Sequence, residues 1–275
     1  MTSRREFLKK AGLLTAAFTV PTLNTQGETT QSRLSLKNTK IAVDDRWDVI
    51  VVGGGPGGCA AAISAAREGA KTLLIEAMGQ LGGMGTAGMV PAWCPFSDGE
   101  KIIYKGIAER VFSESKKGVP HIHYDNWVPI NGEYLKVVYD DLVTSEGVSV
   151  LFFTTMAAVE MKRKGVVDAI VVANKAGLST YKAKVYIDCT GDGDLAAWAG
   201  ADFVIGDESG SVQEGTLCFT LSNVDPYEFS LIGNVHTNRK DGPIHSIYGN
   251  PKYPLVKDKH MNDKLIGPGI LGFNA

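Results

Sequence analysis

The chain has 275 residues, of which 44% are apolar, and a formal charge of −2, as expected for a globular protein with a sizeable core. Lysine and arginine are scattered without a basic stripe, which excludes nucleic acid as a partner. No segment is apolar over the length that a membrane-spanning helix needs. The length allows one large domain or two smaller ones.

The amino terminus differs in composition from the rest of the chain. Residues 3–10 are basic and include Arg4 and Arg5, and Ala11–Val20 is apolar but too short to cross a bilayer. Paired arginines before a short apolar stretch resemble a twin-arginine export signal; the alternative is a basic amphipathic helix. The pattern predicts a signal segment at residues 1–27. It also predicts a periplasmic or otherwise exported protein that meets the twin-arginine export machinery and keeps no stable membrane anchor.

A glycine-rich stretch follows the first apolar run. Val49–Val52 is rich in β-branched residues and predicts a buried parallel strand that begins near Arg46. In the G-x-G-x-x-G pattern after it, the first glycine allows a tight turn and the second leaves room for a pyrophosphate. The third lets the next helix lie close to the sheet. The sequence therefore predicts a dinucleotide-binding bend formed by Gly53, Gly55, Pro56, Gly57 and Gly58.

An acidic residue follows the second predicted strand. A helix over Cys59–Glu68 ends at Gly69, a strand covers Lys71–Ile75, and Glu76 stands at the end of that strand. A carboxylate about 20 residues beyond the glycines is where a ribose 2′-hydroxyl is bound, and it disfavours the 2′-phosphate of NADP. The alternative is an ordinary βαβ unit without a ligand.

The next segment, Leu81–Met89, combines glycines with Leu81 and two methionines. A flexible surface loop is the alternative to a loop that lies against a ring or a phosphate. Taken together, V-V-G-G-G-P-G-G, L-L-I-E and L-G-G-M-G-T-A-G-M resemble the FAD-dependent oxidoreductase family with a glutathione-reductase-type FAD-binding domain. This resemblance implies FAD as the cofactor, with its flavin side touched by Gly82, Gly83, Met84, Gly85 and Thr86.

Three strand-like runs lie farther along, at Met156–Arg163, Gly165–Asn174 and Leu178–Lys184. Short turns join them, which predicts an antiparallel β-meander. The family resemblance implies such a crossover at this place. It also implies that the main chain of Met156 meets the adenine.

A second motif begins with a predicted buried strand at Val185 and continues as I-D-C-T-G-D-G-D. Ligands of open α/β sheets bind at the carboxyl ends of strands, and the family has a very similar segment here. The resemblance makes Thr190, Gly191 and Asp192 cofactor-binding residues. Asp192 and Asp194 are also candidates for helix N-caps, and the two roles are compatible.

Residues 91–130 are the most aromatic part of the chain, and residues 91–147 are predicted to form an insertion that covers the flavin. Helices are predicted over Lys101–Lys117 and from Asn131 to near Gly147. The aromatic side chains suit a flat ligand or a core equally well. His121 and His123 would share one face of a strand, but two histidines do not make a zinc site, and no metal is predicted.

The last part of the sequence has few signals. Gly215–Leu221 predicts a strand, whereas residues 223–275 show no helix or strand of convincing length. His236, His245 and His260 are predicted surface residues. The sequence neither predicts nor excludes a Cys94–Cys218 disulfide. Since the family has a further carboxyl-terminal part with another glycine-rich segment, the resemblance implies an incomplete chain.

The sequence thus predicts an α/β fold: a Rossmann-like parallel sheet with a β-meander crossover, plus the start of a substrate domain. The segments are a signal at 1–27, a linker at 28–45, the FAD-binding domain at 46–90 and 148–205, the insertion at 91–147 and a partial substrate domain at 206–275. The predicted function is hydride transfer between FAD and a small organic substrate, with no catalytic residue assigned. An NAD-dependent oxidoreductase and a non-catalytic flavin-binding scaffold are the alternatives.

Overall fold

The computed structural model describes residues 41–275, except residues 99, 124–125, 214, 233–239, 257–258 and 260. The predicted signal segment, most of the linker, His236 and His260 lie outside the described residues. Residues 41–275 form one unit. Within the described part, no helix is long and apolar enough to cross a membrane.

The elements of the described part are numbered in chain order. The strands are β1 (Ala42–Val52), β2 (Thr72–Ile75), β3 (Ser149–Leu151), β4 (Thr155–Arg163), β5 (Val166–Asn174), β6 (Gly177–Asp188), β7 (Cys218–Leu221), β8 (Asn262–Gly267) and β9 (Ile270–Asn274). The helices are α1 (Pro56–Arg67), α2 (Ile107–Ser115), α3 (Gly132–Ser145), α4 (Asp194–Trp198), α5 (Pro226–Ile232) and α6 (Ile244–Ile247), with 3-10 turns at Gly83–Gly85 and Lys116–Gly118.

The larger sheet has six strands in the order β3-β2-β1-β6-β5-β4. Strands β3, β2, β1 and β6 are parallel, and β5 and β4 continue the sheet in antiparallel fashion. This arrangement confirms the predicted α/β fold with a β-meander. One detail was wrong: the third meander strand and the strand leading to Thr190 are a single strand, β6. Strand β6 pairs with β1 along one edge and with β5 along the other, so it continues through Val185 without a turn.

Strand β1 also begins earlier than expected, at Ala42 instead of near Arg46. Its first residues, Ala42 to Arg46, are mostly exposed, and Ala42 pairs with Ser179 of β6. The long partner strand therefore holds a segment that carries no apolar pattern, and residues 42–45 of the predicted linker belong to the sheet.

Both faces of the parallel strands are buried. On β1, Val49 and Val51 pack with helices α1 and α3, whereas Ile50 and Val52 pack with side chains of β4, β5 and α4. Burial on both faces explains the continuous apolar run, because an exposed face would require alternation.

Helix α1 follows β1 directly and has Pro56 at its first position, where the missing N–H costs no hydrogen bond. It ends with Gly69 at a φ of 82°. The Gly69 and Ala70 amides donate to the Ala66 and Ala65 carbonyls, which is the pattern of a Schellman cap. The predicted βαβ unit is confirmed, and its helix N-terminus points at the sheet edge where β1 ends.

The insertion at residues 91–147 departs from prediction at two places. Helix α2 covers only Ile107–Ser115, not Lys101–Lys117, and Ile103 is 49% exposed. His121 and His123 lie in a loop rather than in a strand. The helix predicted from Asn131 is confirmed as α3, and the Asn131 side chain accepts the Tyr134 amide as its cap.

Trp93, Phe96 and Phe112 of this insertion pack on one another. Phe96 stacks on Phe112 with ring centroids 4.5 Å apart, and Trp93 meets both edge-on. The Trp93 indole donates to Ser115 Oγ over 3.0 Å. These rings therefore form a small core within the insertion, together with Val119 and Val128.

The last part contains a second sheet that the sequence did not reveal. Strands β8 and β9 form a hairpin, and β7 pairs with β9, in the order β7-β9-β8. The expectation of no strand after residue 223 was therefore wrong. The predicted strand at 215–221 is shorter, starting at Cys218, and Cys94 and Cys218 are free thiols. These strands are short and interrupted by glycine, which hides their periodicity.

Candidate cofactor site

An open pocket of about 580 Å³ lies at the carboxyl ends of β1, β2 and β6. This is the edge of a parallel sheet at which ligands bind in open α/β folds. The lining residues come from the ends of these three strands, the start of α1, the Gly83–Gly85 turn, the start of β4, and α4. They are Val52, Gly53, Gly55, Pro56, Gly57, Ile75, Glu76, Ala77, Gly83, Met84, Thr154, Thr155, Met156, Cys189, Thr190, Gly191, Asp194 and Trp198.

The glycines of the bend after β1 have distinct steric roles. Gly53 has a φ of 98°, and a side chain there would overlap the carbonyl of Cys189 on the neighbouring strand. A methyl group at Gly58 would overlap the carbonyl oxygen of Gly53. At Gly55, by contrast, it would meet no atom within 4 Å. The first and third glycines therefore close the bend, and the second leaves open space in the pocket.

The bend presents main-chain donors to that space. In a helix that begins at Pro56, the amides of Gly57 and Gly58 have no carbonyl partner within the helix. Together with the positive end of the helix dipole, free amides bind phosphate charge. Gly57 and Gly191 also have open space where a side chain would start. This edge of the pocket can therefore hold a pyrophosphate against the backbone.

The carboxylate of Glu76 is fixed beside the bend. Its Oε2 accepts the Gly54 amide and its Oε1 accepts the Met78 amide, each over 2.6 Å. A carboxylate has about four lone-pair sites, so each oxygen keeps the capacity to accept a sugar hydroxyl. The acid that follows β2 therefore lies directly beside the bend.

The glycine-rich loop after β2 packs directly against the bend. The Gly82 amide donates to the Gly54 carbonyl over 2.9 Å, and a Cβ at Gly83 would lie 3.1 Å from the Gly55 Cα. Gly83 and Met84 face the pocket. Gly85 and Thr86 instead line a second cavity of about 220 Å³, whose other walls include residues 89–91, residues 130–131 and parts of α3, β7 and the β8–β9 hairpin. The loop therefore separates two adjoining cavities.

The loop after β6 is held by a carboxylate that the sequence analysis did not assign. Asp188 Oδ1 accepts the Thr190 amide and hydroxyl, over 2.9 and 2.7 Å, and its Oδ2 accepts the Ala196 amide over 2.8 Å. The Thr190 hydroxyl in turn accepts the Asp194 amide over 2.7 Å. Helix α4 is thus capped by Asp188 and Thr190 and not by Asp192 or Asp194, because Gly193, with a φ of 70°, turns the chain back toward Asp188.

Two thiols flank the bend. Cys59 is fully buried under it, and its thiol donates to the Gly54 carbonyl over 3.3 Å. Burial raises the pKa of Cys59 to about 12, and burial likewise raises the pKa of Cys189. At neutral pH both are protonated, so they act as packing groups and not as nucleophiles.

The structure brings ten of the fifteen predicted cofactor residues into the pocket lining: Gly53, Gly55, Pro56, Gly57, Glu76, Gly83, Met84, Met156, Thr190 and Gly191. Gly58 lies beneath the bend, Gly82 lies behind the loop, and Asp192 is exposed outside the lining. The sequence analysis did not assign Val52 and Ile75 to the site, although both could have been recognised as the last residues of predicted strands. Trp198 and Thr154 gave no local signal.

The described residues contain no group of three or more His, Cys, Asp or Glu side chains placed to hold a metal ion. The pocket offers main-chain amides as hydrogen-bond donors, the Glu76 carboxylate as an acceptor for sugar hydroxyls, and apolar walls. This set fits a dinucleotide cofactor.

Comparison with known proteins gives the family. The model of the family described as FAD dependent oxidoreductase matches residues 48–265, which is most of the chain. The chain belongs to the FAD-dependent oxidoreductase family, and FAD is its cofactor. The predicted resemblance is confirmed at this level.

Individual relatives match over short segments. Mitochondrial dihydrolipoyl dehydrogenase of Pisum sativum is 49% identical over 57 residues, which are 20% of this chain and 11% of that protein. Fumarate reductase (cytochrome) of Shewanella frigidimarina is 39% identical over 85 residues, 30% of this chain and 14% of that protein. The matched segments therefore span only a small part of these relatives' lengths.

Among solved structures, BexE, a protein studied for oxidation in a biosynthesis, resembles this chain with a TM-score of 0.50 and 12% identity. The likeness covers 83% of this chain and 43% of BexE. At this identity it bears on the fold alone.

Proposed function

We propose that this protein exchanges a hydride between FAD, bound across the bend at residues 53–58, and a small organic substrate. The observation that carries the proposal is the 2.6 Å contact between Glu76 Oε2 and the Gly54 amide, beside an open pocket at the strand ends. The contact supports roles for Glu76 in binding ribose and for the bend amides in binding phosphate, because both lie at one edge of the sheet.

The chain's own residues would bind and orient the cofactor. Glu76 would accept ribose hydroxyls, the amides of Gly57 and Gly58 would hold the pyrophosphate, and the loop at Gly83 and Met84 would direct the flavin end toward the second cavity. FAD, when bound, supplies the hydride-transfer chemistry. Because Gly85 and Thr86 wall the second cavity, it is the place where a small substrate would meet the flavin end.

We also propose that the segments predicted from the sequence have different roles. Residues 46–90 and 148–205 supply the cofactor pocket, and residues 91–147 are an insertion. Residues 206–275 contribute to a substrate domain. In support, the pocket lining comes wholly from the first two segments, whereas the second cavity draws its walls from all three parts.

The proposal is tested on the purified full chain. Nucleotide extraction followed by mass analysis should yield FAD, and anaerobic addition of candidate electron donors should bleach the flavin absorbance. Extraction of NAD would overturn the flavin assignment, and FAD that no donor reduces would favour a scaffold.

A matched pair of variants tests where FAD binds. Gly55→Ala adds a methyl group that meets no protein atom within 4 Å, so the protein should fold and bind FAD at least about tenfold more weakly. Gly215→Ala also meets no atom within 4 Å and lies outside the pocket lining, so its affinity should match the wild type. Equal affinities of Gly55→Ala and the wild type would place FAD elsewhere.

Export by the twin-arginine route remains part of the proposal. Support comes from the basic residues and short apolar stretch of the first 20 residues. Replacing Arg4 and Arg5 by lysine should leave the protein inside expressing cells, whereas replacing Lys9 and Lys10 by arginine should not. Export that survives the first replacement would contradict this route.

A further inference from the structure

Phe153 has an unusual conformation at the edge of the cofactor pocket. Its φ is 50°, in the left-handed region that bulky side chains avoid, and its side chain is 71% exposed. An exposed aromatic ring contributes little to the core, so burial does not repay this strain. Residues held in such conformations cluster at ligand-binding sites.

The segment around Phe153 runs alongside the loop that begins with the ribose-binding acid. The Glu76 amide donates to the Leu151 carbonyl over 2.9 Å, and the Thr154 amide donates to the Glu76 carbonyl over 3.0 Å. Between them, the Phe153 amide donates to the Met78 carbonyl over 3.1 Å. Main-chain hydrogen bonds from Glu76 and Met78 therefore join the two segments.

The ring of Phe153 adds a contact of its own. It lies against the Cα of Gly79 so closely that a side chain at Gly79 would overlap it. Phe153 thus combines a left-handed backbone with a ring that packs on Gly79, the residue after Met78.

Met78 connects this contact to the site. Its amide donates to Glu76 Oε1 over 2.6 Å, and the other carboxylate oxygen of Glu76 accepts the Gly54 amide of the bend. Met78 therefore links Phe153, through its carbonyl, with the carboxylate beside the bend, through its amide.

From these contacts we infer that Phe153 is a positioning residue for the ribose-binding acid. Its strained backbone and its ring hold Met78 and Gly79, so that the Met78 amide keeps the Glu76 carboxylate turned toward the adenosine ribose. This inference rests on the proposed function, because it assigns a role in binding the nucleotide half of FAD.

The test uses the full chain without cofactor and measures the Kd of ADP and of FAD, together with the midpoint of thermal unfolding. Phe153→Asn accepts the left-handed backbone and removes the ring. We expect both nucleotides to bind roughly tenfold more weakly while the unfolding midpoint stays the same or rises. Phe153→Tyr, which keeps an aromatic ring, should bind both nucleotides as tightly as the wild type. A purely structural role would lower the midpoint and leave the affinity of the folded protein unchanged, which would overturn the inference.

Trp127→Asn is the matched control. Trp127 has a φ of 56° and is 48% exposed, but it lies outside the lining of the cofactor pocket. It should show the same relief of strain with no change in the Kd of ADP. An equal loss of affinity in Trp127→Asn would show that the effect is not specific to Phe153.

A double-mutant cycle tests the route through Glu76. In the background of Glu76→Gln, Phe153→Asn should cause less than a twofold further loss of ADP affinity, because the group that it positions is already altered. Fully additive losses would contradict positioning through Glu76. If the wild-type chain bound neither ADP nor FAD, the proposed function itself would fail; tight binding by wild type and Phe153→Asn alike would overturn only the role of Phe153.

Discussion

The two strand ends that form the pocket turn the chain by different means. After β1, the bend is closed by the absence of side chains, since Gly53 and Gly58 have no room for a methyl group. After β6, the turn is held by a side chain, because Asp188 accepts three hydrogen bonds from Thr190 and Ala196. Both turns lead into a helix N-terminus at the same pocket.

This difference indicates which of the two turns tolerates substitution better. Steric closure at the bend is sensitive to any side chain at Gly58, because even a methyl group there forces the backbone of the bend to move. Closure by hydrogen bonds after β6 is graded, since each lost bond removes a limited part of the free energy. The predictions below test this contrast, from the largest expected effect to the smallest.

Gly58→Ala should have the largest effect. The added methyl group overlaps the Gly53 carbonyl oxygen, so the bend must open, at a cost of about 3 kcal/mol in the free energy of unfolding. Urea denaturation measures this. Gly57→Ala is the control, because a methyl group there meets no atom within 4 Å. Equal stability of the two variants would contradict the steric explanation of the bend.

Asp188→Ala should cost less, about 2 kcal/mol, since three hydrogen bonds to a partly exposed carboxylate are lost. Asp188→Asn keeps one acceptor oxygen and should lose roughly half as much. Denaturation curves of both variants would be compared with that of Asp192→Asn, whose exposed side chain makes no hydrogen bond described for the cap. A larger loss in Asp192→Asn than in Asp188→Ala would reverse the assignment of the cap.

Thr190→Val should cost about 1 kcal/mol, because its hydroxyl donates to Asp188 and accepts the Asp194 amide. Thr190→Ser keeps the hydroxyl and serves as the control in the same unfolding assay. If serine and valine were equally destabilising, the methyl group and not the hydroxyl would hold the turn.

The smallest effect concerns pH and the thiol beneath the bend. Burial raises the pKa of Cys59 to about 12 from its ordinary 9.0, so the folded state holds the proton more tightly. The stabilisation is complete below pH 9 and is lost as the pH rises toward 12. Between pH 8 and 9.5 the free energy of unfolding should fall by roughly 0.8 kcal/mol through this group.

Cys59→Ala should remove that part of the fall, as measured by urea denaturation at the two pH values. Burial also raises the pKa of Tyr139, which contributes in the same direction at higher pH. A decline that is unchanged in Cys59→Ala would show that the Cys59 thiol titrates normally.

The sequence by itself determined the cofactor edge of the molecule. The apolar run, the glycine spacing and the acid after the second strand act within one βαβ unit, so short-range sterics and periodicity specify them. The same holds for helix α3, which shows its apolar period and its Asn131 cap in consecutive residues.

Only the tertiary structure decided the features that depend on contacts between distant segments. Asp188 binds the Ala196 amide eight residues along the chain, Phe153 meets Gly79 from the segment after β3, and β6 is continuous because it has neighbours on both edges. The β7–β9 sheet likewise exists by pairing of short strands far apart in the chain. Such contacts leave no local period or spacing, because the backbone brings the partners together only after the fold has formed.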